Sequence, residues 1–287
     1  MKLPDLALVV LINLVWGLTF IAAKLGLNEL PAIWFTGLRF ALLCLVLAPM
    51  LRWVPGQMPR ILLVSLFCGS LHFSLQYTAL SLAGDVSTVA IVTQTALPFA
   101  VILAVLMLGE RLSVLRIAGI VAAFGGVVII GFDPRVFGYG TAVVMVLLAS
   151  FVMALAQVLM RGLKNVAIFN LQAWIAVTSA PSLLGLSLLV ESNHLEMMRT
   201  ASWAAWGNLA FTAFGSSLLG FAGMYYLLRR YPVSLVTPMF LLAPIFGIIG
   251  GVTLLGDVIT LRVFLGAVVT LAGVLAVALA PGAKPAA

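Results

Sequence analysis

Charge is scarce in this chain. Lysine and arginine together number 15 and aspartate and glutamate 8, so that 8% of the 287 residues are charged while 64% are hydrophobic. A soluble globular domain carries about 25% charged residues. There is too little polar surface here to coat a soluble globule of this size, and the mean hydropathy is +1.25. Cysteine is also rare. Cys44 and Cys68 both sit inside apolar runs, which excludes a disulfide framework and fits two buried thiols in a packed interior. The two histidines, His72 and His194, cannot make HExxH, and no G-x-S-x-G occurs. With no acid pair or catalytic dyad at depth, an intramembrane enzyme has nothing to work with. No Asp or Glu lies at the middle of an apolar run, so a proton-coupled carrier with a buried carboxylate is disfavoured.

What the chain does have is long apolar runs of about 20 residues, the length that crosses a bilayer. Spans are predicted near 5–24, 32–51, 61–82, 86–108, 113–131, 139–160, 168–190, 204–228, 233–255 and 261–280. The breaks carry turn and charge signals, such as "RWVPGQMPR" at 52–60 and "FDPRVFG" at 132–138. The first run is longer than a signal-peptide core and reads as a retained helix. Sorting the basic residues by alternate loops is informative. One side receives Lys2, Arg52, Arg60, Arg111, Arg116, Arg161, Lys164, Arg229, Arg230 and Lys284; the other receives Arg135, Arg199 and Arg262, with Lys24 at its border. The positive-inside rule then places both termini in the cytoplasm, as ten spans require. The basic balance serves orientation and implies no nucleic acid.

The chain repeats itself. "LGERLSVLRIAGI" at 108–120 aligns with "LGDVITLRVFLGA" at 255–267, pairing Glu110 with Asp257, Gly119 with Gly266 and Gly126 with Gly273 at an offset of 147. Ser87 falls on Ser234 at the same offset. The expected organisation is residues 1–132 as a first repeat, 138–281 as a second and 282–287 as a short cytoplasmic tail. Each repeat holds five spans, and five is odd, so the second enters the membrane inverted. The fold class expected is therefore an all-α integral membrane protein of ten transmembrane helices in two five-helix inverted repeats. Pro98 and Pro244 stand at similar depth in the two halves and mark candidate helix breaks for gating; kinks in packed helices are the other reading. Inverted repeats with broken helices and a midplane site are the usual build of secondary transporters.

Polar groups at membrane depth are the candidate substrate-binding residues. Asn13, Trp16, Phe20 and Lys24 share one face of the first span; Lys24 could equally snorkel to the outer interface. Arg39 lies about 12 Å into the second span by helix rise. It could anchor a substrate carboxylate, or bond a loop acid such as Glu29 or helix-end carbonyls. His72 and Gln76 are one turn apart in the third span, Tyr77 follows, and Gln94 lies on the Pro98 face of the fourth. Gln157 and Trp174 are the second-half candidates, with Gln172, Asn208, Ser216, Ser217 and Tyr225 behind them. A mostly neutral cavity with two cations, Lys24 and Arg39, toward its outer end suits zwitterionic or weakly anionic amphipathic solutes. Downhill export or exchange is the simplest energetics for it.

The ordered set "VWGLTFIAAKLGLNELP", "GLRFALL", Tyr77 with Ala79-Leu80, and "LGERL…GI…GGVVII" resembles the EamA-type transporters of the drug/metabolite transporter superfamily. The resemblance covers nearly the whole chain as two repeats. The first half is most similar to bacterial exporters of cysteine- and O-acetylserine-like amino acid metabolites. It implies export of an amino acid or its derivative from the cytoplasm across a bacterial inner membrane, with no cofactor, no metal and no ATPase subunit. A drug or other metabolite transporter of the same fold, or a channel-like facilitator, is the alternative. The implied partners are a small-molecule substrate and the lipid bilayer, and a homodimer is left open. The second half departs from the pattern at Asp257-Val258 and lacks the Trp-Gly pair in its sixth span.

Overall fold

A computed structural model of the chain describes residues 2–108, 113–228, 230–231 and 239–280. Glu110, Arg111, Arg229, Ser234 and Lys284 lie outside the described residues, as does the side chain of Tyr225. Among the described residues there are ten long helical runs and no strand. We number them α1 (Leu3–Leu27), α2 (Ala32–Leu47, continued by a 3₁₀ turn to Met50), α3 (Met58–Leu82), α4 (Val86–Thr93 and Ala96–Leu108), α5 (Val114–Gly131), α6 (Gly140–Arg161), α7 (Ile168–Val190), α8 (203–228), α9 (Leu242–Leu255) and α10 (Leu261–Leu279). Two short helices, Pro134–Phe137 and His194–Thr200, lie in connections. Eight of the ten are long and apolar enough to cross a bilayer, and α9 is a shorter apolar helix. The protein is an all-α, multi-pass membrane protein. Leu, Ile, Val and Phe side chains along α5 and α10 stay more than a third exposed, for example Val121 and Phe264, because lipid rather than water covers them.

Helix contacts come in twins. α1 packs on α9 as α6 packs on α4, and α3 on α6 as α8 on α1; α2 with α7 and α5 with α10 join like to like. The α5–α10 crossing shows the inversion most directly. A Cβ on Gly119 would stand 2.8 Å from Gly273 O, and a Cβ on Gly266 would stand 2.7 Å from Gly126 O. Gly119 and Gly266 correspond in the repeat, as do Gly126 and Gly273. So each contact is the image of the other, and the two helices run antiparallel through it. Without a hydrophobic driving force between helices in lipid, such close backbone approach is what holds them. Gly125, next to Gly126, faces open space instead.

The loops pair across the repeats on both faces. On the basic face Arg60 donates to Gly162 O at 2.7 Å, and the Gln57 side chain exchanges hydrogen bonds with the Lys164 backbone. On the opposite face carboxylates cap helix starts. Asp85 accepts from Thr88 N at the start of α4. Glu191 accepts from Ile33 N and Trp34 N at the start of α2, and Glu29 from Ser202 N and Oγ at the start of α8. Asp133 accepts from Arg135 N and from Thr260 Oγ1. These orphan N–H groups and the positive end of the helix dipole both favour a carboxylate.

Asp257 explains its own motif. Gly256 adopts the left-handed conformation, φ +73°, and Asp257 N closes back on Gly251 O at 3.0 Å. That ends α9 as a glycine terminates helices generally. The turn delivers the Asp257 carboxylate to Val86 N, Ser87 N and Ser87 Oγ at 3.0, 2.8 and 2.6 Å. An acid of the second repeat therefore caps a helix of the first.

Candidate substrate-binding site

Helix α4 is interrupted along its length, and α9 starts at Leu242 after a turn at Phe240–Leu241. α4 breaks at Gln94–Thr95, where Leu97 N reaches Gln94 O in a tighter i→i−3 bond of 3.2 Å. Pro98, three residues into the second piece, supplies no N–H to continue the ladder. Pro244 likewise stands third in α9, and Ala243 N bonds Phe240 O at the same 3.2 Å. Gln94 and Phe240 thus occupy equivalent places, at the break in α4 and at the turn before α9. α3 and α8 carry wider π-helical turns, Leu66–Leu71 and Phe211–Gly220. These overlap at the repeat offset, and both adjoin the same space. π turns are rare and concentrate at functional sites.

These irregularities surround a cavity of about 270 Å³. Of the thirteen residues proposed from sequence as binding or gating positions, Trp16, Phe20, Arg39, His72, Gln76, Tyr77 and Gln94 all line it, with Thr19, Phe73, Ser216 and Phe240 between them. A second cavity of about 260 Å³ lies toward the basic face and is lined by Gln157, Leu97 and Val274. Thr93, Gln94 and Phe240 line both, so the break in α4 and the turn before α9 form the partition.

Arg39 dominates the first cavity. It is 1% exposed, and its Nε, Nη1 and Nη2 donate to Thr212 O, Tyr77 Oη and Ser217 Oγ at 3.1, 3.0 and 3.0 Å. Its guanidinium lies 4.4 Å from the Phe73 ring centre. None of these partners is acidic. Three of its five N–H donors are used in this way. The expected alternative, a bond to Glu29, does not form, because Glu29 is committed to Ser202. Burying an unpaired charge is costly; the ring faces and three hydrogen bonds offset part of that cost. Among the described residues no acidic side chain pairs with the charge.

His72 is buried, and its Nδ1 stands 2.9 Å from Ala149 O. A carbonyl only accepts, so Nδ1 carries the proton and Nε2 of the neutral ring is an acceptor. Gln76 donates Nε2–H to Thr93 Oγ1 at 2.9 Å. Trp16 donates Nε1–H to Ser216 O at 3.2 Å and stands edge-on to Phe240, ring centres 5.1 Å apart.

Other sequence candidates stand elsewhere. Lys24 does not line the cavity. Its ammonium donates to Leu80 O, Ser81 O and Ala83 O at 2.9, 3.2 and 2.8 Å, capping the C-terminal end of α3, where a cation is favoured. The two expected cations therefore reduce to one. Asn13 is fully buried in helix packing, its Nδ2 on Val9 O. Trp174 sits at the basic end, its indole N–H on Arg52 O and its ring against Trp53. Neither borders either cavity. Ser216 and Ser217 are among the weaker candidates from sequence, and Thr212 was missed. Their role appears only once the π turn of α8 sets them beside Arg39.

Inverted repeats with irregular helices around an internal cavity are a common build of transporters. The profile of the EamA-like transporter family matches residues 4–132 and again 140–279. The chain belongs to that family and is a transporter rather than an enzyme. It is similar to a protein of Salmonella typhimurium named a probable amino-acid metabolite efflux pump, 29% identical over 95% of this chain and 94% of that one. It is also similar to the Escherichia coli protein of the same name, at 27% with the same coverage. An uncharacterized transporter of Archaeoglobus fulgidus is 28% identical over 90% of this chain and 93% of that one. A solved structure titled "Crystal structure of protein" superposes with a TM-score of 0.61, covering 96% of both chains at 16% identity. That likeness concerns the fold.

Proposed function

We propose that this protein exports an amino acid or amino-acid derivative from the bacterial cytoplasm by alternating access. The observation that carries the reading is Arg39: a buried guanidinium with no acidic hydrogen-bond partner, lining a mid-membrane cavity. A substrate carboxylate is the natural counterion. The cavity volume lies just under the roughly 300–1,000 Å³ of drug-sized sites, which favours a small metabolite over a xenobiotic. The names of the bacterial relatives support the amino-acid class. The basic loops support a cytoplasmic placement of the face that bears Arg52, Arg60 and Arg161, with both termini on that side of the inner membrane. Two cavities divided by Gln94 and Phe240, at the break in α4 and the turn before α9, support a partition that opens to one side at a time.

The test uses purified protein in liposomes loaded with unlabelled amino acids. Saturable counterflow of a labelled amino acid is expected. It should fall by at least about 100-fold in Arg39→Ala, the loss of a charge-assisted contact in a dry site, and less in Arg39→Lys. No exchange of any amino acid by folded protein would overturn the proposal, and non-saturable flux without counterflow would indicate a facilitator.

A further inference from the structure

We infer that Gln76 reads the amino group of the substrate, making this a site for carboxylates that carry an N–H and not for carboxylates as such. The inference rests on the carboxylate-bearing substrate proposed above.

Gln76 is 4% exposed, yet among the described residues no donor reaches its buried carbonyl oxygen Oε1. Its orientation is set by a neighbour. Thr93 Oγ1 gives its one proton to Val89 O at 2.7 Å, so toward Gln76 it can only accept. The Gln76 amide must then turn its NH₂ to Thr93 and its oxygen away. An unpaired buried acceptor is expensive, and here it belongs to a side chain that lines the Arg39 cavity. One turn earlier on the same helix, His72 also lines the cavity. With its Nδ1 proton on Ala149 O, it too has only an acceptor, Nε2, to offer.

The cavity therefore has two chemically opposite poles. Arg39 offers donors and positive charge. Gln76 Oε1 and His72 Nε2 offer lone pairs. A solute with a carboxylate and an ammonium or amine satisfies both. The matching 2-oxo acid fills the same volume and satisfies Arg39, but sets its carbonyl oxygen against Gln76 Oε1, lone pair to lone pair. A site that hydrogen-bonds an N–H rejects the analogue lacking it, because its own polar group stays unpaired. Neutral acceptors also leave the Arg39 charge for the carboxylate, which a glutamate at position 76 would neutralise internally.

The test pairs alanine, leucine and phenylalanine with pyruvate, 4-methyl-2-oxopentanoate and phenylpyruvate in the liposome counterflow assay. The wild type should prefer each amino acid over its 2-oxo acid by at least about tenfold. Gln76→Met, similar in length and without the acceptor, should bring that ratio close to one while 2-oxo acid exchange persists or rises, which also shows the variant is folded. Thr93→Val frees the amide to rotate and should lower the ratio partway; Thr93→Ser should restore it. A wild-type ratio near one, with amino acids exchanged, overturns the role of Gln76 but leaves the carboxylate reading standing. So does an unchanged ratio in Gln76→Met. If neither member of any pair exchanges, the carboxylate reading itself fails, and this inference with it.

Discussion

The two repeats share a backbone plan and divide the work unequally. Among the described residues, twelve of the fifteen that line the Arg39 cavity come from the first repeat, and three, Ser216, Phe240 and Ala243, from the second. At the repeat offset of 147, which holds from the third helix of each repeat onward, His72 corresponds to Leu219, exposed by 41%, and Gln76 to Gly223. The second repeat keeps the π turn but not these side chains. What it supplies is support: Thr212 O and Ser217 Oγ hold the guanidinium, and Asp257 caps α4. Duplicated geometry can be retained while duplicated chemistry is lost, because packing constrains both copies and one substrate needs only one set of contacts.

That division can be broken experimentally. The largest effect expected is on transport. Arg39→Ala should lower counterflow at least about 100-fold, whereas Leu219→Ala, at the place of His72 in the second repeat, should leave it within about twofold. If the Leu219 variant were equally damaging, the asymmetry would be false. Next comes the seam between α5 and α10. A methyl on Gly126 would stand 2.5 Å from Gly266 O, so Gly126→Ala should destabilise the protein by about 1–3 kcal/mol. Gly125→Ala, in open space, should be neutral or slightly stabilising. Thermal unfolding of the two variants in detergent makes the comparison directly.

A smaller effect is expected at the inter-repeat cap. Asp257→Ala removes an acceptor from three donors and should cost about 1–2 kcal/mol. Its preference between amino and 2-oxo acids should stay that of the wild type, since Asp257 supports α4 without lining the cavity. The smallest effect is pH-dependent. Hydrogen bonds from Ser202 N and Oγ hold the Glu29 carboxyl below its ordinary pKa. A carboxyl with a lowered folded pKa contributes stability above its unfolded value and loses it as pH falls through the folded one. The melting-temperature gap between wild type and Glu29→Gln should thus be present at about pH 7 and narrow as pH falls through the lowered folded pKa. A gap that persists at the acid end would mean the Glu29 charge is not what matters.

Much of the fold was legible because lipid imposes a simple rule. A buried backbone must satisfy itself, so apolar runs become helices. Nine predicted spans agree with the observed helices to within a few residues, as with 168–190 and Ile168–Val190; of the ninth in chain order, 233–255, residues 233–238 lie outside the described residues and the helix runs Leu242–Leu255. The cavity's aromatic and polar stripe on α3 was legible as well, since His72, Gln76 and Tyr77 are local in sequence. What could not be read was anything fixed by distant partners. Lys24 lies on the helical face of Trp16 and Phe20, yet its four-carbon stem carries its charge to carbonyls of α3. Asp257 meets Val86 and Ser87 across some 170 residues of chain. The free acceptor of Gln76 depends on where one hydroxyl proton of Thr93 goes, which no spacing reveals.

The twin contacts of α5 and α10 carry a consequence for symmetry. A surface in which residue i meets j and the image of i meets the image of j is self-complementary, the property of a two-fold dimer interface. The glycines that make it need no partner different from themselves. The seam therefore ties both repeats to the same glycine spacing, while residues away from it are free to differ between the two.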